Sequence, residues 1–334
     1  MTQQSTASAN EASDGDKPAR RRVRWTAGRA ALRAALPVTA TAAIAIASPA
    51  PAQQDAGLMA HARIRDYGQF LVRQPPASLG LDPFYRKYTD AEGIPIVSSA
   101  RVPDAALLVA RDIVDAELAN RPDIRDELVR EHARVGVMAI DEGTTDLPEQ
   151  RDWKKPTRDD PRLTRCERAH YGTIAGMTDQ QYWDSRARGM GGLYTTSAAE
   201  NLLGVPHTRY YGENILVHEF SHNILSAIEK IDPGLYGRVE AAYRHAKANG
   251  LWEGTYAAVT IQEYWAEGTQ YWFNSNKVFE LPRVFVLSDQ DLKRYDPMLY
   301  AVLGEVYGAN HHIASDAFYD QMSRIESPPI LDTC

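Results

Sequence analysis

The chain has 334 residues, 44% of them hydrophobic and 24% charged, with a formal net charge of −7. These are the proportions of an ordinary globular protein with apolar material for a sizeable core, in one large domain or two small ones. The acidic balance argues against a nucleic-acid-binding role, which needs a positive field to meet phosphates, so no nucleic-acid partner is expected.

The first 52 residues differ from the rest. Arg20, Arg21, Arg22, Arg24, Arg29 and Arg33 precede an apolar, alanine-rich run from Ala34 to Ser48, and Ala50-Pro51-Ala52 offers an A-x-A pattern before Gln53. A basic region, a short apolar region and small residues at a cleavage point together read as a secretory signal over 1–52. The run is shorter than the ~20 residues of a membrane span, and Pro37 interrupts it. A disordered basic tail is the alternative, and a twin-arginine signal is a poor fit to the residues after Arg21. Removing 1–52 takes away seven basic and three acidic side chains and leaves a formal charge of −11. The expected mature protein is secreted or periplasmic, with no stable membrane association.

Residues 53–80 read as a connecting segment and 81–334 as one continuous domain. From Pro103 to Arg134, aliphatic and charged residues recur at helical spacing, and Pro122 divides the stretch into two helices. Val135 to Asp141, VGVMAID, is a compact apolar run that predicts a buried strand. Residues 142–163 are polar and rich in proline, a long loop. Gly189 to Leu193, GMGGL, lacks the phosphate-binding glycine patterns and instead predicts backbone passing close to something, such as a cleft. Helices are predicted at roughly 211–229, 234–248, 258–275 and 289–307. The expected fold is α+β, predominantly helical, with a small twisted sheet. Cys166 and Cys334 lack metal-site spacing and could pair as a disulfide in an oxidising compartment.

The chemistry sits in ILVHEFSHNIL, Ile215 to Leu225. His218 and His222 are four residues apart, so on a helix both project from one face and reach one metal ion. Glu219 stands beside the first of them, placed to take a proton from metal-activated water. The surrounding aliphatic residues would bury the helix and dry the site, which strengthens its electrostatics. Histidines on an apolar helix are also commonly satisfied core residues, and the pattern alone does not separate the two readings. A catalytic zinc needs a third protein ligand and an open position. Downstream, Glu263 and Glu267 repeat the four-residue spacing among Trp265, Trp272 and Phe273, and two such carboxylates are costly to bury without a partner. Glu263 is the candidate third ligand. Glu267 is the candidate acceptor for the free N–H of a ligand histidine. His311 and His312 are adjacent, so they face apart and read as surface or capping residues.

HEFSH followed by a helix carrying EYWAE resembles the gluzincin metallopeptidases, above all the anthrax lethal factor-like catalytic domain with its HExxH and EFFAE motifs. The likeness covers about residues 211–275, with Ser221 where that family often has Gly. It implies a zincin-like fold with the sheet beside the active-site helix and a strand forming the upper edge of the cleft. It also implies a metal-facing role for Tyr256, seven residues before Glu263, whose hydroxyl would stabilise an oxyanion or protonate the leaving group.

The leading expectation is a zinc-dependent hydrolase that cleaves peptide amide bonds. One Zn2+ per chain would be held by His218, His222 and Glu263, with Glu219 and Tyr256 catalytic. The alternatives keep the metal but change its use. One is hydrolysis of a sugar, cyclic amide or ester beside the aromatic cluster Trp252, Tyr264, Trp265, Tyr271 and Trp272; the other is a non-catalytic zinc-binding protein.

Overall fold

The structure, a computed structural model, describes residues 72–160, 163–281, 284–319 and 321–326. The expected export signal, most of the connecting segment and Cys334 lie outside the described residues. The architecture is α+β: helices gather around a mixed four-stranded sheet, and a separate two-stranded hairpin forms later in the chain.

The sheet runs in the order β1 (Lys87–Ala91), β2 (Ile94–Ser98), β3 (Arg134–Met138) and β4 (Tyr194–Ala198). β1 and β2 are an antiparallel hairpin; β2, β3 and β4 are parallel, with Val135 opposite Thr195 and Val137 opposite Ser197. Parallel neighbours need a crossover. Here it is supplied between β2 and β3 by helices α1 (Asp104–Leu118) and α2 (Pro122–Arg130), with Pro122 in the first turn of α2 where its missing N–H costs nothing. Arg73 already pairs with Tyr88 of β1, so the sheet gathers in part of the expected connecting segment.

Between β3 and β4 come three short helices, the last being α3 (Asp179–Arg186), each of the outer two started by a threonine cap. These helices and β4 are absent from the sequence prediction, because YTTSA carries β-branched residues without an apolar run. Met190 exchanges backbone hydrogen bonds with Thr196, so the glycine-rich loop lies along the outer edge of β4.

Helix α4 (Ile215–Ile231) packs against β4 and against α6 (Ile261–Trp272), standing between them. Its start is four residues later than predicted, since Asn214 caps it by accepting from the N–H groups of Leu216 and Val217. Asn201 Oδ1 takes the Ile215 N–H at 2.8 Å, so the first turn enters the core with its donors satisfied. α5 (Pro233–Ala248) follows after an Asp232 cap. α6 is shorter than predicted: Thr260 caps it, and it ends before Asn274, whose φ of 58° turns the chain out of the helix. The helix predicted over 289–307 is two, α7 (Asp289–Tyr295) and α8 (Pro297–Tyr307). Pro297 cannot continue α7, and Asp296 caps α8 by accepting from the Leu299 N–H.

One apolar core joins these layers. Ile96 and Val135 from the sheet, Leu107 and Ile113 from α1, Phe220 and Ile224 from α4, Trp265 from α6 and Leu303 from α8 are all fully buried. Each such side chain contributes about 1.5–3 kcal/mol relative to exposure. The apolar face of α4 is therefore anchored, and its opposite face is left to meet a cleft.

Candidate metal centre

The i, i+4 spacing on α4 brings His218 and His222 to one side, their ring centroids 5.1 Å apart. Ligand atoms of His218, Glu219 and His222 all lie within 4.8 Å of one another. From α6, Glu263 Oε2 reaches between the imidazoles, 3.0 Å from His218 Nε2 and 3.7 Å from His222 Nε2. Glu219 Oε2 stands 3.9 Å from His222 Nε2. Tetrahedral zinc with bonds of about 2.0–2.1 Å holds its ligand atoms roughly 3.3 Å apart, and the two distances from Glu263 Oε2 to the imidazole nitrogens bracket that spacing.

The donor set also fits a cation. Three carboxyl groups and two imidazoles share this buried face. Burial disfavours a charged His218, but its hydrogen bond with Glu263 and the surrounding carboxylates outweigh that and hold its proton well above the ordinary range. Burial likewise opposes ionisation of Glu263, yet its hydrogen bond to His218 keeps it ionised. Burial lifts Glu219 to about 7, against the pull of His218, and lifts Glu267 to about 7 as well. Desolvation pushes His222 down to about 4. Imidazoles and carboxylates together are a donor set that a divalent cation takes.

Behind His218, its Nδ1 lies 3.0 Å from Gln270 Oε1 and 3.6 Å from Glu267 Oε1. Gln270, one turn beyond Glu267, is the nearer acceptor and was missed in the sequence, where a glutamine on a helix carries no signal. Glu267 is in turn held by Asn276 Nδ2 at 2.8 Å. Tyr256, in the 3-10 turn Tyr256–Ala258, lays its ring parallel to His218 with centroids 6.1 Å apart, and its hydroxyl meets the Glu263 carboxylate.

The glycine-rich loop does pass close to the site. A Cβ on Gly191 would sit 2.7 Å from His222 Cδ2, and one on Gly189 would sit 2.4 Å from Ile215 Cγ2 and 3.2 Å from Glu219 Cγ. The Gly191 N–H faces the Glu219 carboxylate. Arg188 anchors this loop from behind through buried Glu200, at 2.7 Å, and the Ala139 carbonyl at the end of β3. Glu213 pairs with buried Lys277 at 3.1 Å, and both line the cleft.

His218, Glu219, His222, Tyr256, Glu263 and Gly191 line a cleft of about 810 Å³ that also takes in Arg186, Tyr210 and Cys166. Cys166 is disulfide-bonded. Of the aromatic cluster noted in the sequence, Trp252 and Tyr271 border the cleft, whereas Tyr264, Trp265 and Trp272 are core residues. His311 packs on Trp272 and His312 on Tyr319, neither at the site.

No family model and no curated protein matches the chain. Among solved structures it is similar to the Pro-Pro endopeptidase PPEP-2 from Paenibacillus alvei, at 14% identity and a TM-score of 0.40, over 63% of this chain and 96% of that one.

Proposed function

We propose that the chain is an exported zinc metallopeptidase. The observation that supports this reading is the meeting of His218 Nε2, His222 Nε2 and Glu263 Oε2 at the floor of a cleft, with Glu219 beside them and no further His, Cys, Asp or Glu in the group among the described residues. Three ligands with an open side are the arrangement of a catalytic rather than a structural zinc site. Bound zinc supplies Lewis-acid polarisation of a carbonyl and acidifies water to a pKa of about 7. Glu219, held by the Gly191 N–H, is the general base that takes the proton from the attacking water and delivers it to the leaving amine. Tyr256 turns its hydroxyl to the same face and donates to the oxygen on which negative charge develops. A cleft of about 810 Å³ has room for several residues of a polypeptide.

The test is zinc content and peptide cleavage of the purified mature protein beside Glu263→Ala and Glu219→Gln. One zinc per chain in the wild type, strongly reduced in Glu263→Ala and retained with loss of cleavage in Glu219→Gln, supports the reading. A wild type that takes up no supplied zinc, or a Glu219→Gln protein of unchanged activity, overturns it.

A further inference from the structure

The metal cleft has a side cavity of about 420 Å³. Leu163, Arg186 and Met190 line both spaces, so the cavity lies directly beside the cleft. Its remaining wall is mainly aromatic. Trp183 meets Trp153 edge-on at 4.8 Å and 67°, and Tyr182 at 5.0 Å and 75°. The three rings thus make a corner with faces turned in different directions, into which a further ring can pack face to edge.

Charge narrows the occupant. Among the described residues no acidic side chain lines the cavity, and its charged members are Lys154 and Arg186. Both are already paired, Lys154 with Asp179 at 3.1 Å and Arg186 with Glu167 at 2.7 Å. The Tyr182 hydroxyl also donates to Glu167, which leaves the ring of that residue as its contribution to the wall. With both cations already neutralised by their own partners, neither a cationic nor an anionic guest gains a counter-charge from this wall. An uncharged ring satisfies every wall. Pockets of this size hold small ligands, so one large side chain fits while the chain that bears it runs on through the wider cleft.

We propose that the cavity walled by Trp153, Tyr182 and Trp183 receives an aromatic side chain of the polypeptide substrate and so sets where the chain is cut. That the occupant belongs to a polypeptide rests on the peptidase reading above; that it is aromatic rests on the cavity alone.

The test separates the two. Binding of N-acetyl-phenylalaninamide, N-acetyl-alaninamide and N-acetyl-lysinamide to the zinc-loaded chain is measured by ligand-observed NMR, for the wild type, Trp183→Ala and Trp153→Ala. Circular dichroism and zinc content confirm folding, and Trp153→Ala, in an irregular segment, carries the test if Trp183→Ala does not fold. The aromatic amide should bind about tenfold tighter than the other two, and a tryptophan variant should lose most of that preference. In a mixed peptide library, cleavage should favour an aromatic residue at one fixed position from the cut, with the preference flattened in the same variant. No aromatic preference in amide binding, or a preference that both variants keep, overturns the proposal. Aromatic binding that depends on Trp183 in a protein that cuts no peptide supports the aromatic cavity and overturns the peptidase reading.

Discussion

His218 Nδ1 lies 3.0 Å from Gln270 Oε1, and Gln270 Nε2 donates to the Asn214 carbonyl at 2.9 Å. The carbonyl can only accept, so the glutamine amide has one orientation, with its oxygen towards the imidazole. His218 must then carry its proton on Nδ1 whenever Nε2 ligates a metal. The backbone of the α4 cap, through a side chain of α6, selects the tautomer of the first candidate ligand. Gln270→Leu is expected to weaken zinc binding about 10–100-fold while leaving the fold intact, as loss of such a partner does elsewhere. Competition with a coloured chelator measures it; unchanged affinity would assign the orienting role to Glu267 alone.

Zinc uptake should be acid-sensitive. In the metal-free protein His218 keeps a proton that it shares with Glu263, and this proton must leave when the ion binds. Because that site binds its proton more tightly than a free imidazole, proton competition persists at neutral pH. Apparent zinc affinity should therefore rise with pH between 5 and 8, by about tenfold per unit for each proton displaced. Calorimetry in buffers of different ionisation enthalpy counts the protons released, and a count of zero contradicts the shared-proton geometry.

Replacing Glu219 by Gln keeps size and shape and removes the base. Cleavage should fall by about 10²–10⁴-fold, the usual contribution of a positioned general base. Zinc content and thermal stability should stay near wild type, since Glu263 rather than Glu219 hydrogen-bonds His218 and is the proposed third ligand.

The glycine loop allows a steric prediction. Gly191→Ala places a methyl 2.7 Å from His222 Cδ2, a contact the ring can relieve only by moving. Destabilisation of about 1–3 kcal/mol is expected, together with weaker zinc binding. Gly172→Ala, where an added Cβ meets no atom within 4 Å, is the control. Urea denaturation of the two variants side by side decides whether the loop touches the site as described.

Glu117 lies fully buried in α1 with neither carboxyl oxygen hydrogen-bonded among the described residues. Burial pushes its pKa well above the ordinary range, so the folded state keeps a proton that the unfolded chain loses near pH 4.3. With more protons bound folded than unfolded, stability declines as pH rises above that point, by up to about 1.4 kcal/mol per unit, until the folded group also ionises. Glu117→Met should flatten this slope and raise stability at pH 7 by about 1–3 kcal/mol. Denaturation midpoints at pH 5 and 8 for both proteins are the measurement. A steeper decline in the variant would show that Glu117 has an ionised partner.

What could be read in advance follows from range. The placement of His218 and His222 on one face is a property of a single helix, where 3.6-residue periodicity makes spacing equivalent to geometry. The same local rule joined Glu263 to Glu267 and located the break at Pro122. It misplaced helix ends at Asn214 and Asn274, because a cap depends on where the side chain turns. It also ran α7 and α8 together, giving too little weight to Asp296-Pro297. β4 escaped because an edge strand of threonines is specified by its partner β3, not by its own hydrophobicity.

By itself the sequence determined the candidate metal-site residues and their order: two histidines and a glutamate on one helical turn, then a glutamate on a second helix, with glycines that had to approach something closely. Only the tertiary structure decided that Glu263 Oε2 comes between the two imidazoles, that Gln270 rather than Glu267 lies nearest His218 Nδ1, and that the space Gly191 leaves open is filled by His222. These relations span 31 to 52 residues of chain. They depend on how α4 and α6 pack across a shared core, which no local periodicity encodes.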